Sequence, residues 1–350
     1  MPGGAENRAR RASLLRTVRR MDIDIDAWFA VLAAARAHDR PGVPAPERAA
    51  EAGRLRVPSL HCRAVPVTLP APDGAPGYAG VALLRLHDTE ENAANAFLDT
   101  LTVHPAHRGR GVGRALWDAV RARLAAEGRS SVSTLVERGG AGERFAVGRG
   151  AECALPMVEY VQEVAAASAP AAPAALAPTA SAPAVPAPPV GYRFAAWSGV
   201  VPDAYAAAHA RAHDAMQDAP AGDLDEQHDP WDPERIRAAA RVVLDRGGVL
   251  LTVAALAEAD GAVAAYTELV LPTPASVRAL QYDTVVVPAH RGRGLGRAVK
   301  LRMLEFLRAQ GPDVREIMTT VADENAPMRA VNAALGYRAE QALGFYQVRL

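Results

Sequence analysis

The sequence predicts an α/β protein made of two similar units. Three observations carry this. The word His107-Arg108-Gly109-Arg110-Gly111-Val112-Gly113-Arg114 returns as His290-Arg291-Gly292-Arg293-Gly294-Leu295-Gly296-Arg297, 183 residues later. Each copy follows an apolar run, Leu101-Thr102-Val103 or Thr284-Val285-Val286-Val287, and opens a helical pattern, so the order is strand, glycine turn, helix both times. Residues 165–190 are alanine and proline with a few Ser and Thr and no charge. Such a run has nothing to bury and is read as an extended linker. The expected division is a first domain over 1–164, a linker over 165–190 and a second domain over 191–350.

Within the first unit, Ser13 to Val18 reads as a strand. Asp24 to Asp26 offer a cap for a helix over 27–38, with apolar spacing at Trp28, Val31, Leu32 and Ala35. A second helix is expected within 47–55. Strands follow at 60–69, where Pro66 suggests an edge, at 78–86 and at 96–103. After the glycine turn and its helix come a strand at 131–136, a short helix at 143–150 and a strand at 155–164. The second unit repeats this order. It reads as a strand at Tyr192, helices over 202–216 and 233–245, and strands at 249–257, 262–271 and 277–287. The glycine turn and helix, a strand at 316–321, a helix at 326–335 and a closing strand at 341–350 complete it.

Composition narrows the function classes. The 350 residues carry 39 basic and 39 acidic side chains, which argues against a general nucleic-acid or membrane-surface partner. Cys62 and Cys153 match no metal or redox spacing, so no metal and a reducing cytoplasm are expected. No stretch reads as a transmembrane span or signal peptide.

A glycine-rich turn before a helix leaves backbone N–H groups uncovered, with the positive end of the helix dipole behind them. That suits a phosphate or pyrophosphate. No Gly-Lys-Ser/Thr is present, and Gly292, Gly294 and Gly296 are spaced G-x-G-x-G, which is neither a P-loop nor a dinucleotide fingerprint. The words Arg291-x-x-Gly294-x-Gly296 and Arg108-x-x-Gly111-x-Gly113 resemble the acetyl-CoA-binding motif of the GNAT superfamily of N-acetyltransferases. Asn325-Ala326-Pro327-Met328 and Leu335-Gly336-Tyr337 resemble that family's asparagine-bearing helix and its ending; Gly148-Arg149-Gly150-Ala151 is a fainter echo in the first half. The resemblance implies two GNAT-like domains, each a mixed, mostly antiparallel sheet flanked by helices. It also implies acetyl-CoA as cosubstrate, with its pyrophosphate on the turn amides and its arm along the preceding strand. The residues implied to hold it are Val285, Val286, Val287, Leu295 and Asn325 with Arg291, Arg293, Arg297 and the turn glycines, and Leu101, Thr102, Val103, Val112, Arg108, Arg110 and Arg114 with theirs.

Acetyl transfer needs a neutral amine, an oxyanion donor and a proton for the departing thiolate. A backbone N–H near Val286 is the donor candidate. Glu268, inside an apolar strand, and Asp283, on the strand entering the motif, are the candidate bases; the alternative for each is a strand-end carboxylate facing water. Asp99 is the first half's counterpart candidate. The family's tyrosine acid, four residues before the terminal Gly, is here Asn332, leaving Tyr282, Tyr337, Tyr346 or water for that role. The histidines are read as unclustered, with His104, His107 and His290 beside the motifs. Trp231, with Asp223, Asp225, Glu226, Asp229 and Asp232, is a candidate acceptor wall. The second half has three more acids than bases and the first half the reverse, which favours a cationic amine in the second. The expected activity is direct acetyl transfer to a small amine, the second domain being the catalytic one. The alternative is a non-catalytic acyl-CoA sensor or scaffold.

Overall fold

The computed structural model describes residues 23–164, 187–227, 229–311 and 313–350. The strand expected at Ser13 to Val18, and the linker up to residue 186, lie outside the described residues. The chain divides into two compact units that are not contiguous in sequence. The first takes in the chain to Pro156 with Ala221–Gln227 and Leu343–Leu350; the second takes in Met157–Pro220 and His228–Ala342.

In the first unit, α1 (Ile25–Asp39) starts at Asp24, whose side chain accepts from the Asp26 and Ala27 amides. Helix α2 (Arg48–Arg56) follows. Strands β1 (Cys62–Pro70), β2 (Tyr78–His87) and β3 (Asn95–Val103) form an antiparallel meander. Helix α3 (Val112–Ala126) crosses over to β4 (Ser131–Glu137), which pairs with β3 in parallel. Helix α4 (Ala141–Val147) comes next. The residues of β2 alternate between two faces, as a strand requires. Ala82, Leu84 and Leu86 pack with Leu116, Trp117, Val120 and Leu124 of α3. Val81 and Leu83 pack with Trp28 and Val31 of α1. Each fully buried Leu or Val contributes on the order of 1.5–3 kcal/mol.

The second unit repeats the plan. Its strands are β6 (Tyr192–Ser198), β7 (Val249–Ala257), β8 (Val263–Leu271) and β9 (Arg278–Val286), all antiparallel neighbours. Helices α5 (Asp203–His213) and α6 (Pro233–Asp245) lie between β6 and β7 in sequence. Helix α7 (Leu295–Gln310) leads to β10 (Glu316–Ala322), parallel to β9. Then come α8 (Ala326–Ala334) and the last strand, β11 (Arg338–Arg349). Leu295, Val299, Met303 and Leu307 of α7 fill one face against Leu251, Val253, Ala255 and Leu269. Ala254, Leu256, Val263 and Tyr266 face α5.

The boundary strands do not stay with their sequence halves. Residues 157–163 of β5 (Glu152–Glu163) pair antiparallel with β10 in the second unit. Residues 343–349 of β11 pair antiparallel with β4 in the first. Each unit's sheet thus takes a strand from the other half of the sequence. Hydrophobic periodicity marks a strand but carries no information on its partner. No helix among the described residues is long and apolar enough to cross a membrane.

Candidate active site

Both glycine turns take the form expected of an anion cradle. Gly111 and Gly294 are the N-terminal caps of α3 and α7, at φ of 80° and 73°. An L-residue there costs roughly 1–2 kcal/mol. Neither helix start receives a side-chain cap, so the first-turn amides have no side-chain acceptor. A Cβ added at Gly109, Gly111, Gly292 or Gly294 would have no atom within 4 Å. The space over both turns is therefore open to a ligand.

Beside each turn the parallel strands separate. β9 pairs with β10 only over Arg278–Leu280, and β3 with β4 only over Asn95–Phe97. Beyond these points one edge of each motif strand, Gln281 to Val286 and Leu98 to Val103, has no ladder partner. In the first unit the opening is a cleft of about 1790 Å³, lined by Leu101, Thr102, Val103 and the turn Arg108–Arg114. Open turn amides and an unpaired strand edge fit a pyrophosphate with an amide-bearing arm.

The predicted arginines divide. Arg291 Nε donates to the Val286 carbonyl (3.1 Å), and its Nη2 to Asp218 (2.7 Å). Arg108 Nε donates to the Val103 carbonyl (3.2 Å), while its two terminal nitrogens meet Asp39 at 2.6 and 2.7 Å. These hydrogen bonds hold the Asp39 carboxyl below its ordinary pKa. In each unit the motif's first arginine thus clasps the end of the preceding strand to an aspartate. Arg293 donates to the Tyr192 hydroxyl at 2.8 Å. Arg110, Arg114 and Arg297 are exposed and have no ion pair among the described residues. Asn325 caps α8, accepting from the Met328 amide at 3.2 Å.

Glu268 and Asp283 come together with two residues the sequence reading missed. His209 and His213 are four apart on α5 and share one face. His209 Nε2 lies 3.4 Å from Glu268 Oε1, and His213 Nε2 lies 3.1 Å from Asp283 Oδ2. The reading of the histidines as unclustered is therefore corrected. A pair of histidines at i and i+4 on a predicted helix was the available signal. Glu268 sits at a register shift between Thr267 and Leu269, and its carbonyl accepts from Gln281 Nε2 at 2.6 Å. The extra residue of this bulge lies on β9, where Tyr282 and Asp283 together oppose Glu268. Glu268 itself stays paired with Thr252 and shares the α5 face with Tyr266 by ordinary strand alternation. Both carboxylates keep partial exposure, 15% and 31%.

Aromatic rings complete the cluster. Tyr266 packs between the imidazoles, 4.5 Å from His209 and 5.8 Å from His213. Burial, then the charges of Asp283 and Glu268, raise its hydroxyl pKa well above the ordinary value. Trp231 lies 3.9 Å from the His213 ring. The acidic run around it divides. Asp225 belongs to the first unit, bound to Ser131, Gln347 and Arg349. Asp229 pairs with Arg235, and Asp232 caps α6.

The remaining candidates are otherwise engaged. Asp99 is ion-paired to Arg54 and Arg85. Tyr346 is in the first unit, donating to Glu143. Tyr337 and Lys300 form a buried pair: Lys300 Nζ is 4.4 Å from the Tyr337 ring centre and 2.7 Å from Asn332 Oδ1. Burial lowers the Lys300 pKa to about 7. Both cysteines are free thiols, and no cluster of three metal-ligating side chains occurs among the described residues.

Two α/β units, each with an uncapped glycine turn beside parted parallel strands, repeat one architecture along the chain. The acetyltransferase (GNAT) family model matches residues 69–141 and 212–337, more than half of the chain, and the chain belongs to that family. A solved tandem GNAT protein from the clavulanic acid biosynthesis pathway is similar over 93% of this chain and 94% of its own, at 28% identity and a TM-score of 0.75. A GCN5-related N-acetyltransferase from Sphaerobacter thermophilus shares the fold, with 18% identity, a TM-score of 0.60 and coverage of 95% and 94%. No curated protein matches the chain significantly.

Proposed function

We propose that the second unit is an acetyl-CoA-dependent N-acetyltransferase acting on a small amine by direct transfer in a ternary complex. The observation that carries this is the pair of imidazole-backed carboxylates, Glu268 and Asp283, on the two strands next to the open turn at Gly294. Bound acetyl-CoA supplies an activated acetyl thioester. The amides at Gly294 to Gly296 and the unpaired edge of β9 hold it, and exposed Arg297 is available to its phosphates.

An amine arrives as an ammonium ion. Asp283 and Glu268 favour its approach and take up its proton, directly or through water, and His213 and His209 steady them by hydrogen bonding. The freed nitrogen lone pair forms the C–N bond as the C–S bond breaks. The second amine proton balances the thiolate, so the products are the amide, free thiol and one released proton. A backbone N–H near Val286 is the oxyanion donor in this scheme. Asn332 supplies no acid, and Tyr337 lies buried beneath Lys300, which leaves Tyr282, exposed on β9 beside Asp283, or solvent to protonate the thiolate. The first unit is read as a cosubstrate binder without transfer activity.

The test is thiol release from acetyl-CoA over a panel of small amines, with initial rates varied in both substrates. Intersecting kinetics with no trapped acetyl-enzyme are expected. Absence of thiol release with every amine, despite acetyl-CoA binding, would favour the non-catalytic reading.

A further inference from the structure

We infer, building on the acetyltransferase reading, that the acceptor is a primary amine on an apolar body with no carboxylate beside its amino group. Three observations point there.

The first is charge. Glu268 and Asp283 lie 3.4 and 3.1 Å from the two imidazoles packed on Tyr266, and Asp214 accepts from the Trp231 amide at 3.1 Å beside them. The guanidinium packed on the cluster, Arg235, stacks over Trp231 at 4.5 Å and is held by Asp229 and the Pro230 carbonyl. It is therefore not free to neutralise an incoming carboxylate. An α-amino acid would bring its own anion against Glu268 and Asp283, and like charges at short range in a partly desolvated site repel strongly.

The second is hydrogen-bonding capacity. The Tyr266 hydroxyl, His209 Nδ1 and His213 Nδ1 are buried and without partners. With each imidazole Nε2 donating to its carboxylate, each Nδ1 is left as an acceptor. Together with the carboxylates this is a surplus of acceptors. An ammonium group carries three N–H donors, whereas a carboxylate would add more acceptors.

The third is the lining. Half-buried Trp231 and Tyr205 border the cluster, with Trp231 packed on His213 and Tyr205 stacked on buried Trp197 at 5.8 Å. An aromatic border of this kind favours an apolar body and stabilises a cation near it.

The experiment compares kcat/KM of the full chain for tyramine and phenylethylamine with that for tyrosine and phenylalanine, reading thiol release. The amines should exceed the amino acids at least tenfold. Tyrosine methyl ester, of similar size but without the carboxylate charge, should recover most of the difference. Trp231→Ala should raise KM for tyramine several-fold with a smaller change in kcat. Amino acids used as well as the amines, or no recovery by the ester, would overturn the inference and leave the acetyltransferase reading intact. No turnover of any amine would overturn both.

Discussion

The two units carry the same anion cradle and differ in what faces it. Counting along the paired strands from the turn, Glu268 lies three residues past Ala265, the partner of Val286; three past Gly80, the partner of Val103, lies Leu83, 4% exposed. Asp283 corresponds in the same way to Thr100. Six residues beyond the cap glycine, buried Lys300 of α7 corresponds to buried Trp117 of α3. The arginine clasp, by contrast, is the same: Arg108 to Asp39 in one unit, Arg291 to Asp218 in the other. The turn depends on backbone conformation, so any sequence with glycine at the left-handed positions reproduces it. Acid–base chemistry depends on side chains facing α1 or α5, and these can be exchanged for core residues without disturbing the sheet.

The largest effect expected from this contrast is on turnover. Glu268→Gln or Asp283→Asn should lower kcat about 10²–10⁴-fold, the usual contribution of a positioned base. Acetyl-CoA affinity should stay within about twofold, a margin well below the 1.4 kcal/mol of a tenfold change. Asp99→Asn in the first unit should leave kcat nearly unchanged, because Asp99 is already ion-paired to Arg54 and Arg85. A collapse of turnover in the Asp99 variant would place chemistry in the first unit and break the comparison.

Cosubstrate binding should instead be lost one unit at a time. Gly294→Val and Gly111→Val each place a β-branched residue at positive φ, with its Cβ directed into space free of protein atoms. Calorimetric stoichiometry should fall from two acetyl-CoA per chain to one in either variant, and only Gly294→Val should abolish turnover. A parent stoichiometry of one would show that only one turn binds acetyl-CoA.

Stability should separate the units by pH. The Lys300 pKa is lowered from 10.5 to about 7 by burial. Between those values the unfolded chain holds a proton the folded chain does not, so stability rises with pH across this window and is weakest below pH 7. Lys300→Met should raise the melting temperature most near pH 6 and flatten the slope up to pH 10. One pH unit within the window corresponds to at most about 1.4 kcal/mol. Trp117→Phe, its first-unit counterpart, should leave the pH slope unchanged. A slope unaltered by Lys300→Met would show that its ammonium is solvated or paired in the folded state.

The smallest effect belongs to the clasp. The Arg291–Asp218 pair is about half exposed on both sides, and pairs of this kind contribute roughly 0–1 kcal/mol. Arg291→Ala should cost less than that in chemical denaturation. An acetyl-CoA affinity loss beyond tenfold in the same variant would show that Arg291 leaves Asp218 to bind phosphate.

Much of this protein is set locally and so legible in the sequence. The helix 233–245 and the strand 249–257 follow from side-chain periodicity, the α8 start from Asn325 and Pro327, and both cradles from glycine spacing before a helix. Glu268 and Asp283 were visible as carboxylates out of place in apolar strands. Other features depend on which segments meet. Whether β5 joins β10 and β11 joins β4 is decided by sheet-edge pairing, which equivalent apolar alternation in every strand leaves open. The histidines are unremarkable on an alanine-rich helix until folding lays α5 across β8 and β9, where the β9 bulge sets Tyr282 and Asp283 opposite Glu268. Asp99 and Asp283 read alike in the sequence. The arginines that engage Asp99 and the imidazole that receives Asp283 come from distant positions, because the free energy of a charge depends on its spatial neighbours.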